Sequence, residues 1–167
     1  MNLQQEIANW DEKLVEDLEA IYERHSTETG LGAELVPLLK DPSVQQGASW
    51  ILKRHLEQGC VLKAAELRSF FQTLPVLEDW QTKLHLLQSL PFLTIEKQRL
   101  KYLEPFLRAC LDEKNKFVRA WAYNGFYELA LQHPKYQTEV DQLLEQAMQD
   151  EAASVKARVR NIRKDLR

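Results

Sequence analysis

The chain is poor in the residues that build turns, staples and membrane spans. Five glycines and six prolines are scattered through 167 residues, too few for the closely spaced turns of a β-sandwich or barrel. Only Cys60 and Cys110 are present, which excludes a disulfide framework and fits a reducing compartment. The longest apolar run, around Leu35 to Leu39, falls far short of the roughly 20 residues that cross a bilayer. The stretch MNLQQEIANWDEKLVEDLEAIYE has neither the basic region nor the apolar core of a secretory signal. The expectation is a cytoplasmic protein with no membrane partner. A dominant charge is also missing: the net charge of −3 gives no sign of a polyanion binder. No glycine-rich phosphate loop, nucleophile elbow or H-E-x-x-H motif occurs, and no cofactor is expected.

What is abundant is leucine. The chain has 27 Leu against 9 Val and 5 Ile, a bias toward helix over strand. Hydrophobic residues make up 44% and charged residues 28%, the balance of a folded domain. The apolar positions step by three or four, so the fold class is all-α with about nine helices. Leu3, Ile7, Trp10, Leu14, Leu18 and Ile21 predict one N-terminal helix of about six turns. The turn-rich STETGLG at 26–32 ends it. Shorter helices follow around Leu35–Leu39, Val44–His55, Leu62–Phe71 and Glu78–Leu90. Longer ones run over Ile95–Leu111 and Asn115–Leu131, and further helices over Val140–Met148 and Ala152–Leu166. Asp41-Pro42 reads as a helix start and Gly59 as a helix stop.

Four of these helices share a frame. Their apolar starts, Val44, Trp80, Val118 and Val155, are spaced by 36, 38 and 37 residues. The positions four and seven residues on are Ala48/Ile51, Leu84/Leu87, Ala122/Gly125 and Val159/Ile162. Each follows a Leu-rich helix. Helix pairs repeating at this period cannot bury their apolar faces singly, so they stack.

The segments LLKDPSVQQGASWIL, FLRACLDEKNKFVRAWAYNGFYELA and LLEQAMQDEAASVKARVRNI resemble the HEAT-repeat family. Asp112, Val118, Arg119 and Ala122 match its pattern of turn acid, valine, basic residue and small residue; Asp150, Val155 and Lys156 match with Lys for Arg. Gln45 and Gln81 stand at the basic position of the first two units, so the family's Asp–Arg ladder is expected only in the C-terminal half. Pro37 and Pro105 also fit the family's first helices. The resemblance implies a right-handed α-solenoid of about four stacked helix pairs. It gives a single repeat domain over 1–167, with 1–25 as capping helix and about 31–167 as the array. It further implies that second helices line a concave face.

On that face the frame places Gln45, Gln81, Arg119 and Lys156 one residue after each start. Five residues after come Ser49, His85, Tyr123 and Arg160, and nine after come Lys53, Ser89, Tyr127 and Lys164. Cations beside aromatics suit an anionic or peptide ligand. The candidate partner-binding residues are therefore Trp50, Lys53, His85, Arg119, Tyr123, Tyr127, Lys156 and Arg160. Against this stands packing of the tyrosines on a neighbouring repeat and simple solvation of the basic last helix, Lys156 to Arg167. The tryptophans, Trp10, Trp50, Trp80 and Trp121, read first as core, with Trp50 the exception. The four histidines share no ligand spacing, so no metal is expected. The expected function is a non-catalytic scaffold or interaction module that binds a protein or peptide. The alternative is nucleic-acid binding of the DNA alkylation-repair glycosylase type, with Asp79 beside Trp80 as its only catalytic pair. The acidic first helix and basic last helix leave a monomer or a weak head-to-tail oligomer as the expected states.

Overall fold

Short polar side chains cap the helix starts at Asn2, Asp79 and Asn115. In the computed structural model, which describes residues 1–165, the Asn2 side chain accepts from the Gln5 amide, and Gln5 returns the bond to the Asn2 amide. This capping box opens α1 (Leu3–Ala8). The described residues form ten α-helices and no strand: α1, α2 (Val15–His25), α3 (Leu31–Leu38), α4 (Gln45–Glu57), α5 (Ala64–Thr73), α6 (Trp80–Ser89), α7 (Leu100–Leu111), α8 (Lys116–Gln132), α9 (Gln137–Asp150) and α10 (Ala153–Asp165). Short 3-10 turns sit at Leu74–Val76, Leu90–Phe92, Lys97–Arg99 and Pro134–Tyr136. The Leu166 end expected for the last helix, and Arg167, lie outside the described residues. No helix among those described is long and apolar enough to cross a membrane.

The chain gathers into two units, Met1–Leu93 and a second from Thr94 onward. In the first, α1 packs on α2, α2 on α4, α3 on both α4 and α5, and α4 on α6. First helices therefore neighbour first helices, and second helices neighbour second helices. In the second unit, α8 contacts α7, α9 and α10, and α9 also contacts α10. Burial covers most of the circumference of α8, from Val118 to Ala130.

The single N-terminal helix expected from the spacing of Leu3 to Ile21 is two helices. Between them Glu12 takes a left-handed φ of 61°. The Lys13 amide donates to Asp11 Oδ1 at 3.0 Å, and Trp10 Nε1 donates to the Leu14 carbonyl at 2.8 Å. These bonds replace helical ones, and Leu14, which the stripe placed inside, is exposed. Leu3, Ile7, Leu18 and Ile21 are buried as expected.

A carboxylate–imidazole cluster ties α1 to α2. His25 sits between Glu6 (Nε2 to Oε1, 3.0 Å) and Glu28 (Nδ1 to Oε1, 2.9 Å), and Arg24 also pairs with Glu6. Burial works against the charged ring, but the two carboxylates outweigh it and raise the His25 pKa above its usual 6.5. Glu6 is held below its usual 4.5, first by Arg24 and then by His25. The His25 contribution to stability is thus complete below pH 6.5 and fades as pH rises through the raised folded-state value. The Glu6 contribution is complete above pH 4.5 and fades as pH falls through the lowered one. A His25→Gln variant should therefore melt below the wild type in mildly acidic buffer, with the gap closing as the buffer turns alkaline. A gap that stays constant with pH would contradict the charged pairing.

Burial also corrects the repeat frame. Val44, Val118 and Val155 are buried, but Trp80 is 41% exposed. The buried series in α6 runs Thr82, Leu86, Ser89, in step with Val44, Ala48, Ile51 in α4 and Val118, Ala122, Gly125 in α8. Thr82 is thus the in-frame start. The cap agrees: Asp79 accepts from the Thr82 amide, as Asn115 does from that of Val118, three residues on in each case. The basic position of this repeat is then Lys83, not Gln81.

Candidate functional site

In the first unit, the frame directs polar side chains into the seam between α4 and α6. Asp79 Oδ2 accepts from both the amide and the hydroxyl of Thr82, each at 2.7 Å. Its Oδ1 accepts from Gln46 Nε2 across the seam at 3.1 Å. One turn along, Ser49 Oγ donates to the Gln46 carbonyl at 3.0 Å and lies 2.8 Å from His85 Nδ1. The hydroxyl has one proton and the carbonyl takes it, so Nδ1 of the neutral ring is assigned as the donor to Ser49. Burial pushes the His85 pKa down to about 4, with the Lys53 ammonium acting in the same direction, which keeps the ring neutral. Lys53 itself lies 5.7 Å from the centre of the Trp50 ring and 3.7 Å from Glu57.

This seam brings together Trp50, Lys53 and His85 of the expected site. It also includes Ser49 of the frame, Asp79 of the glycosylase alternative, and Gln46 and Thr82, which the sequence reading did not single out; the spacing of Asp79 ahead of Thr82 was the available signal for Thr82. The Ser49–His85 pair is not a nucleophile with its base, because Ser49 is completely buried and no substrate carbon reaches its oxygen. Asp79, the carboxylate of the glycosylase alternative, is occupied as a helix cap.

In the second unit, the position one residue after the α8 start Val118 carries Arg119. Its Nε donates to both oxygens of Glu151, at 3.1 and 3.2 Å, and its Nη1 donates to the carbonyls of Glu113 and Lys114, at 2.9 and 3.0 Å. One guanidinium thus ties the turn before α8 to the turn before α10. The rung resembles the expected ladder, but its acid is Glu151 rather than Asp112 or Asp150. Tyr123, one turn along α8, is 8% exposed. Burial, then the charge of Glu151, raises its hydroxyl pKa. Tyr127 is buried too, with its hydroxyl raised by burial and by the nearby charges of Asp165 and Glu128.

Lys156 is half-buried and Arg160 exposed on α10, and neither has an ion-pair partner among the described residues. Arg158, not singled out from the sequence, places its guanidinium 4.1 Å from the centre of the Trp121 ring. The core role expected of Trp10, Trp80 and Trp121 does not hold. Trp10, Trp50 and Trp121 are half-buried and Trp80 is exposed, so each presents part of its ring to solvent. Among the described residues no three His, Cys, Asp or Glu side chains converge as metal ligands.

The eight expected residues thus divide by unit and by role. Arg119, Tyr123, Tyr127 and His85 are held by internal partners or burial. Trp50, Lys53, Lys156 and Arg160 keep solvent-accessible surface on second helices. Comparison with family models, with curated proteins and with solved structures finds no match.

Proposed function

We propose that the chain is a non-catalytic interaction module built of HEAT-like solenoid repeats. Its second helices take a protein or peptide partner. The observation that carries this reading is the recurrence, in each unit, of second helix packed on second helix, with α6 and α8 each opened by a cap, a buried residue three positions on, and a basic residue next to it. Stacked repeats of this kind leave extended second-helix surfaces available for binding.

The contact residues in this proposal are Trp50 and Lys53 on the first unit and Lys156 and Arg160 on the second. The pair of Trp50 and Lys53 offers an apolar face beside a charge, and tryptophan is among the residues enriched in protein interfaces. His85, Arg119, Tyr123 and Tyr127 hold these surfaces in shape. The test is affinity capture from a lysate with wild type and with Trp50→Ala/Lys53→Ala and Lys156→Glu/Arg160→Glu variants. A partner held by wild type and lost by either variant, with helicity unchanged by circular dichroism, is the expected result. A partner retained by both variants would reject these surfaces.

A further inference from the structure

The second unit carries a groove on its first helix that the second-helix proposal does not use. It runs along α7 and the 3-10 turn at Pro134–Tyr136, holds about 450 Å³ and opens to solvent. Leu100 and Pro105 give it an apolar lining, and Lys97, Lys101 and Lys135 stand exposed along it.

The acids at this groove are already occupied. Glu104 accepts from the Tyr136 hydroxyl at 2.6 Å and from Arg108 Nη2 at 2.9 Å, and Arg108 Nη1 donates to Glu139 at 2.6 Å. The Tyr136 hydroxyl, chiefly through burial and then through Glu104, is pushed up to about 12 and stays a donor. By contrast, none of the three lysines has a carboxylate within ion-pair distance among the described residues, whereas Arg24, Arg54, Arg99, Arg119 and Arg163 all do. Lys101 lies 5.0 Å from the Tyr102 ring centre and Lys135 4.9 Å from that of Tyr136, so two of the ammonium groups rest over aromatic faces. The groove therefore combines a small apolar surface with three cations outside any ion pair among the described residues, of which Lys135 also feels the Glu104 charge.

We infer that this groove docks an acidic peptide segment of a partner protein, with one apolar side chain against Leu100 and Pro105 and flanking carboxylates on Lys97, Lys101 and Lys135. A peptide fits better than a nucleic acid for two reasons. The cations form one short cluster rather than a track along which successive phosphates lie. The apolar lining gives a phosphate backbone nothing, while an interface core of apolar contact within a polar rim is the usual anatomy of a protein site.

The probe is a fluorescein-labelled peptide of four glutamates flanking one leucine, titrated with the full chain and read by anisotropy. Saturable binding at low salt that weakens as salt rises is expected. Lys101→Glu/Lys135→Glu should weaken it at least about tenfold, while Lys101→Arg/Lys135→Arg and Lys40→Glu, at a residue that does not line the groove, keep it. Exchanging the peptide's leucine for serine should weaken it as well. No saturable binding, or equal affinity for the charge-reversed variant, overturns the proposal. So does tighter binding of an oligothymidylate of equal charge with the same dependence on Lys101 and Lys135, which would make the groove a nucleic-acid site. Failure here leaves the second-helix surfaces untouched, since the two tests share no residue.

Discussion

Replacing Arg119 with alanine is expected to destabilise the second unit by about 2 kcal/mol. It should do so before it affects any binding measurement. The side chain makes a forked contact to Glu151 and two bonds to backbone carbonyls, and both partners of the ion pair are mostly shielded from water, at 20% and 14% exposure. Removing the guanidinium leaves the Glu151 carboxylate without its cation and two carbonyls without their donor. A fully buried pair broken in this way costs about 3–5 kcal/mol; partial exposure reduces that figure. Lysine does not rescue the site, because a point charge cannot reach a carboxylate and two carbonyls as a planar fork does. Urea denaturation of Arg119→Ala, Glu151→Ala and the double variant measures the coupling. Additive effects would show that the rung contributes nothing, and an unchanged midpoint with lost partner binding would return Arg119 to the contact surface.

The division between legible and illegible features follows from how far each signal reaches along the chain. Helix content and the stop at Gly59, with its positive φ of 86°, are local, and the sequence shows them. The break between α1 and α2 is not legible in this way. The linker happens to keep Trp10 and Leu14 in phase with the apolar stripe, and its left-handed residue is Glu12 rather than a glycine that would mark the turn. The frame error at Trp80 has another cause. Hydrophobicity ranks Trp above Thr, yet the helix start is fixed by the Asp79 cap, which puts Thr82 inside and lets the indole face outward.

The candidate site was less legible than the fold because its residues are defined by partners distant in sequence. The frame placed Arg119, Tyr123 and Tyr127 on one face of α8, and they are on it. Whether such a residue meets a ligand or its own chain depends on Glu151, 32 positions away from Arg119, and on α10, and no periodicity encodes that choice. The same holds for His85, whose neutral state is set by burial and by Lys53 on another helix. The basic groove on α7 was invisible for a related reason: Lys97, Lys101 and Lys135 come from a turn, a helix and a second turn, and only the fold makes them neighbours.

Gly47 offers the sharpest test of how the N-terminal helices close on the first unit. It lies inside α4, where glycine costs about 1 kcal/mol relative to alanine in helix propensity. On that ground alone Gly47→Ala should stabilise. A methyl group built at this position, however, would come 2.7 Å from Ile7 Cγ2 and 3.3 Å from Leu18 Cδ2, with the Trp10 ring at 3.6 Å. Ile7 is β-branched, and its Cγ2 sits next to the backbone, so it cannot swing aside as the end of a lysine would. The six-residue α1, anchored by Leu3 and Ile7, has to lift instead. Overpacking of this kind costs about 1–3 kcal/mol. Gly47→Ala is therefore expected to lower stability by about 1 kcal/mol despite its better propensity, and Gly47→Leu by about 3 kcal/mol. Trp10 fluorescence should report the loss of α1 docking in the leucine variant. Shortening the opposing side chain distinguishes close approach from a general glycine effect. Ile7→Ala alone removes a buried side chain at a cost of about 2–5 kcal/mol, and adding Gly47→Ala should restore part of it, since the new methyl enters the space vacated by Ile7. A double variant as unstable as the sum of the two singles, or a Gly47→Ala protein more stable than wild type, would mean that α1 does not rest on α4 at this residue.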